Sequence, residues 1–127
     1  MHRILLRTVV FDYPPDVHDP ARRFWQVALD AGIRRGTEHP EYHVLEHPAA
    51  VGSVLVQNVK VGPGRVHLDV ETDDTEAEVA RLVAAGAVVV ARIDDWIVLC
   101  DPGGLPFCVV PADLDAGFAA SAHTVGS

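Results

Sequence analysis

Tyr42-His43-Val44-Leu45-Glu46-His47-Pro48 returns fifty-four residues later as Trp96-Ile97-Val98-Leu99-Cys100-Asp101-Pro102. Both stretches read aromatic, x, Val, Leu, x, x, Pro. The same offset carries Trp25, Ala28, Leu29, Ala31 and Gly32 onto Val79, Leu82, Val83, Ala85 and Gly86. Two copies are too few for a solenoid, in which three or more units must stack to cover one another. The repeat predicts one domain built from two similar halves, with functional groups gathered between the copies.

Working outward from the repeat, each half reads β-α-β-β-β. In the first, Ile4–Asp12 is a strand, and a Pro-rich loop follows at Tyr13–His18. Asp19 and Pro20 read as the N-cap and first position of a helix. Ala21, Trp25, Ala28 and Leu29 form its apolar stripe, and Gly32 reads as its stop. Strands follow near Ile33–Thr37, Tyr42–His47 and Val54–Val59, with turns at His39-Pro40 and Pro48–Gly52. Val61-Gly62-Pro63-Gly64 marks the hinge. In the second half, Arg65–Glu71 is a strand and Asp73 or Asp74 caps a helix that Gly86 ends. Ala87–Ile93, Trp96–Cys100 and Leu105–Val110 are strands. A short helix at Asp113–Ala120 and a frayed end are expected in the tail. From Thr8 to Trp25 is seventeen residues, against twelve from His67 to Val79, so the first half carries five extra. They are expected in the strand-to-helix loop, as a pocket wall or a neutral insertion.

The bulk properties agree with one globular domain over residues 1–127, with modules at about 4–60 and 65–111 and a tail at 112–127. The chain is 49% hydrophobic with mixed charge. At a net charge of −8, with no cluster of Lys and Arg beyond short pairs, nucleic acid is not an expected partner. No apolar run reaches the length of a spanning helix, and the N-terminus is too interrupted for a signal peptide, so no membrane partner and a cytoplasmic location are expected. Cys100 and Cys108 fall on opposite arms of one hairpin and are not expected to form a disulfide.

Strand faces suggest where chemistry lies. Period-two alternation sends Val66, Leu68 and Val70 toward the helix and Arg65, His67, Asp69 and Glu71 to the other side. On that reading Leu68→Ala opens a core cavity costing about 2–5 kcal/mol. In the first strand Val9 and Phe11 face the helix, while Thr8, Val10 and Asp12 share the opposite face. That face is either a site or simply a solvated side.

Arg65-Val66-His67-Leu68-Asp69-Val70-Glu71-Thr72-Asp73-Asp74, the Glu76–Gly86 helix and Trp96–Val110 resemble the vicinal oxygen chelate superfamily of glyoxalase, bleomycin-resistance and extradiol-dioxygenase proteins. The glyoxalase-like bacterial branch is the best match. The resemblance implies an α+β fold, two βαβββ modules forming an incomplete barrel around a ligand. Metalloenzymes of that superfamily hold a divalent ion through four side chains, and those positions fall on Thr8, Gln57, His67 and Cys108. Only His67 is an ordinary ligand, and Cys108 suits a soft ion better than a hard octahedral one. No bound metal or other cofactor is therefore expected, with a weak divalent ion at His67 and Gln57 as the exception.

His39, His43 and His47 are spaced by four, but Pro40 and Pro48 exclude a helix, and solvated histidines are the expectation. Cys108 with His67 as a nucleophile and base lacks an evident oxyanion hole. Asp69 is placed to orient His67 or to bind a cationic group. The reading is a small-molecule-binding protein with ligand-binding residues His67, Asp69, Gln57, Thr8 and Cys108, forming a homodimer. The alternative is a glyoxalase-type lyase or isomerase, with His67 and Asp69 as catalytic candidates, using a weak ion or acid–base chemistry. A further alternative is a protein-interaction subunit whose cavity is vestigial.

Overall fold

A computed structural model of the chain describes residues 1–37, 40–46, 53–60 and 63–126. The predicted turn at Pro48–Gly52, part of the one at His39-Pro40, and Val61-Gly62 of the hinge lie outside them. The fold is α+β, and both βαβββ modules are present. The first runs β1 (His2–Tyr13), α1 (Pro15–Ala28), β2 (Gly32–Arg35), β3 (Tyr42–Glu46) and β4 (Ser53–Asn58). The second runs β5 (Arg65–Thr72), α2 (Thr75–Ala84), β6 (Val88–Ile93), β7 (Trp96–Cys100) and β8 (Pro106–Pro111), followed by α3 (Ala116–Ser121) and β9 (His123–Val125). The contacts divide the chain into two compact units, Thr8–His67 and Met1–Arg7 with Leu68–Ser127.

In the Thr8–His67 unit the strands lie in the order β2-β3-β4-β1, antiparallel except for the parallel β4–β1 pair. Leu45, Val54 and Val56 are buried on the helix side, where Phe11, Tyr13, Trp25 and Leu29 pack against them. Trp25 donates its indole N–H to the Tyr13 hydroxyl at 2.9 Å, which pins the helix to the end of β1. The helix starts earlier than Asp19-Pro20 suggested. Pro15 takes its first position, where the missing N–H matters least, and Pro20 lies inside. The extra length therefore lies in the helix, fourteen residues long against ten for α2, with Pro14 alone between β1 and α1, and does not form a rim loop. Gly32 is not the helix stop. Asp30 takes the left-handed conformation at φ 48°, and Gly32 opens β2.

In the other unit the order β5-β8-β7-β6 repeats that arrangement, again with a parallel pair, β5–β8. Val79, Ile97, Leu99 and Val109 form its core, with Leu82, Ala87 and Phe107 against it. Asp74 caps α2 by accepting from the Ala77 N–H at 3.0 Å, and Gly86 supplies the positive φ beyond its end. Both cysteines are free, with Cys108 opposite Val98.

Leu68 is not a core residue, contrary to the alternation argument. Leu68 is 41% exposed and Val66 57%. A ten-residue helix is about 15 Å long, whereas an eight-residue strand spans about 26 Å, so α2 cannot cover all of β5. The large cavity cost belongs to Leu99, which is fully buried. Beyond α3 the tail forms β9, which pairs antiparallel with His2–Ile4 of β1.

Ion pairs hold this second unit. His2 meets Glu78 at 2.6 Å, and Arg81 grips the same carboxylate with two bonds. Burial alone would raise the Glu78 carboxyl, but its bonds to Arg81 and His2 hold it below its ordinary value. The Arg3 backbone N–H and then its side chain do the same for Asp73, and Arg7 for Asp115. Carboxylates depressed in the folded state stabilise it above their ordinary range, and that contribution fades as pH falls through the folded values. Urea unfolding followed by far-UV circular dichroism should therefore give a lower midpoint at pH 4 than at pH 6. A midpoint equal at both would contradict these pairings.

Candidate functional site

Asp12 is the most informative side chain that the sequence reading left unassigned. It sits one residue before the end of β1, on the face opposite Phe11 and Tyr13, level with Gln57 of β4. It is 1% exposed, and Thr8 and Val10 on the same face are 9% and 1% exposed, so this face is not simply solvated. One carboxylate oxygen, Oδ2, lies 2.7 Å from Nδ1 of His67 and 3.5 Å from Nε of Arg65. The other, Oδ1, is shielded from solvent and has no hydrogen-bond partner. A carboxylate accepts only, so Nδ1 of His67 is the donor, and in the neutral ring the lone pair falls on Nε2. The His67 side chain is 12% exposed and that of Arg65 61%, so the pairing is chiefly Asp12 with His67.

The sequence carried a signal for this residue. Asp12 is an acid inside Val9-Val10-Phe11-Asp12-Tyr13, and a charge in an apolar strand requires a partner when buried. The sequence alone points to Asp69 beside the imidazole and leaves Asp12 unassigned.

The other expected site residues are placed by the ladders. Thr8 lies level with Ser53, and Gln57 level with Asp12. Four residues of strand, about 13 Å, therefore separate Thr8 from the level of Gln57. In the other unit Asp69 lies opposite Cys108 in the β5–β8 ladder, and Cys108 is buried. Asp69 follows His67 by two residues on β5. Thr8 and Gln57 therefore do not lie side by side on the β1–β4 ladder, and Nδ1 of His67 meets Asp12, which leaves Nε2 to face a ligand or ion.

His43 is not a solvated histidine; it meets His18 under α1. His39 and His47 lie outside the described residues. Among the described residues, no helix is long and apolar enough to cross a membrane.

A family model described as a glyoxalase-like domain matches residues 8–110. No curated protein matches the chain. Among solved structures, methylmalonyl-CoA epimerase from Mycobacterium tuberculosis is similar at 15% identity, with 91% of each chain covered and a TM-score of 0.57. A glyoxalase/bleomycin resistance protein/dioxygenase superfamily member from Vibrio splendidus 12B01 is 16% identical, with 85% of this chain and 100% of that chain covered and a TM-score of 0.56. For 2,2',3-trihydroxybiphenyl 1,2-dioxygenase from Sphingomonas wittichii strain RW1, the identity is 14% and the TM-score 0.55. That match covers 86% of this chain but only 40% of the dioxygenase. At these identities the likeness is one of fold.

Proposed function

Because the chain belongs to the glyoxalase-like domain family, within a superfamily whose members bind small molecules, we propose that it is itself a small-molecule-binding protein, and that its ligand meets His67 on the face shared with Asp12. The observation that supports this is the buried Asp12 carboxylate, bonded to His67 through one oxygen and lacking a partner at the other. A shielded acceptor without a donor costs about 1–3 kcal/mol, and a ligand N–H or O–H would remove that cost. No metal is assigned to this site, because Thr8 and Gln57 are about four strand residues out of level on the β1–β4 ladder.

The same pair favours a second reading, a proton-transfer enzyme of the lyase or isomerase class. There Nε2 of His67 would take or give the proton, while Asp12 fixes the tautomer and stabilises the imidazolium. Fold likeness alone does not choose between binding and catalysis.

Purified without added ions, the protein is expected to carry well under one equivalent of Ni, Zn, Fe or Mn that depends on His67. A thermal-shift screen against metabolites should find a ligand that raises Tm without metal. Near-stoichiometric metal that disappears in His67→Ala would overturn the metal-free reading and promote the metal-dependent enzyme.

A homodimer belongs to the same proposal. β6 lies at the end of its strand order with Val88 and Val90 63% and 59% exposed, and an apolar open edge invites a second copy. Light scattering should give twice the chain mass at tens of micromolar, and a monomer there would contradict it.

A further inference from the structure

His18 and His43 bring two imidazoles together at the α1–β3 interface. His43 shares a strand face with Leu45, which is buried on the helix side, and His18 lies in the first turn of α1. Their ring centroids are 5.1 Å apart, with ring planes at 49°. His18 is only 3% exposed, and its Nε2 is shielded and without a hydrogen-bond partner. Nδ1 of His43 is in the same condition. Two stranded ring nitrogens in one contact call for a common partner.

We propose that His18 and His43 bind one transition-metal ion of the zinc, copper or nickel type. An ion about 2.0–2.1 Å from each nitrogen lies about 3.2 Å from each ring centroid, and a tetrahedral angle then puts the centroids about 5.2 Å apart. The observed spacing matches. Asp19 supplies the outer support of such a site, because its Oδ1 lies 3.1 Å from Nδ1 of His18. Accepting that N–H leaves the lone pair on Nε2, where a metal would be bound.

The surrounding charges are Asp19, Arg22 and Arg35. Burial, then His18, Arg22 and Arg35, hold the His43 imidazole below its ordinary value. The two guanidiniums also weaken any cation, so Mg and Ca, which prefer oxygen, are excluded in favour of metals that bond imidazole strongly. Arg22 Nε, itself shielded and without a partner, offers a donor to a water or small anion completing the coordination. The site is separate from the Asp12–His67 pair. Val54 and Val56 of β4 face α1, while Gln57, level with Asp12, takes the opposite face.

The test is titration of the full chain, stripped of metal, with Zn²⁺ by calorimetry and with Cu²⁺ by electron paramagnetic resonance. One equivalent should bind with a micromolar Kd, and the Cu²⁺ spectrum should show two imidazole nitrogens. His43→Phe and His18→Phe should weaken binding at least tenfold, whereas His67→Ala and Cys108→Ser should leave it unchanged. Asp19→Asn, at an exposed carboxylate, should weaken it about tenfold and serves if His18→Phe does not fold. Absence of binding at 100-fold excess, or binding lost in Cys108→Ser but kept in His43→Phe, overturns the proposal.

Discussion

An Arg7→Ala variant is expected to lose about 3–5 kcal/mol of unfolding free energy, the cost of leaving a buried charge without its partner. Arg7 grips Glu71 with two bonds of 2.7 and 3.0 Å, and Glu71 is only 6% exposed. Without the guanidinium, the carboxylate keeps one weak backbone bond, from Asp113 at 3.3 Å. Glu71, and then Asp115, raise the Arg7 guanidinium above its ordinary value, so it stays charged at any working pH. Arg7 also reaches Asp115 at 3.0 Å, the residue that caps α3 by accepting from the Phe118 N–H. Asp115 is half exposed, so most of the loss is assigned to Glu71. Arg7→Lys keeps the charge but not the fork, and should fall between wild type and Ala. Urea unfolding measures all three, and a loss below about 1 kcal/mol for Arg7→Ala would show that water replaces the guanidinium.

The second large effect is expected on binding. With a ligand found by screening, His67→Ala should weaken affinity about tenfold or more, the size of a lost hydrogen bond to a charged group. Asp12→Asn should act in the same direction, because an amide no longer requires the Nδ1–H tautomer. If the protein is an enzyme, the same substitutions should lower turnover by about 10²–10⁴. Affinity unchanged in both variants, with the fold intact, would remove the pair from the site.

The architecture was legible because the repeat and the strand alternation record packing directly. Val44 and Val98 occupy equivalent places, level with Leu55 and Cys108 in the neighbouring last strands. That same equivalence shows that the two modules do not place the carried-over positions alike. Cys108 matches Leu55 rather than Gln57, a difference of two residues that no composition reveals. The start of α1 was misplaced because Asp19-Pro20 reads as a helix opening, while the prolines before it read as loop although Pro15 takes the first helical position. Alternation told which way Leu68 points but not how far α2 reaches. β9 has three residues, and its pairing with His2–Ile4 lies too far away in sequence to leave a local pattern.

The site was half legible. His67 stands out as the one ordinary ligand type, but no local pattern points to Asp12, fifty-five residues away. Asp12 and His67 are joined only by the folded chain. His18 fell in a stretch read as loop, and its contact with His43 depends on the longer helix.

The central claim, that ligand is met at His67 as held by Asp12, is tested most directly by NMR of the imidazole nitrogens during ligand titration. In the free protein His67 should show the Nδ1–H tautomer, and ligand addition should shift its Nε2 resonance to saturation with the same Kd that calorimetry gives. Ligand binding that moves other resonances while both nitrogens of His67 stay in place would contradict it.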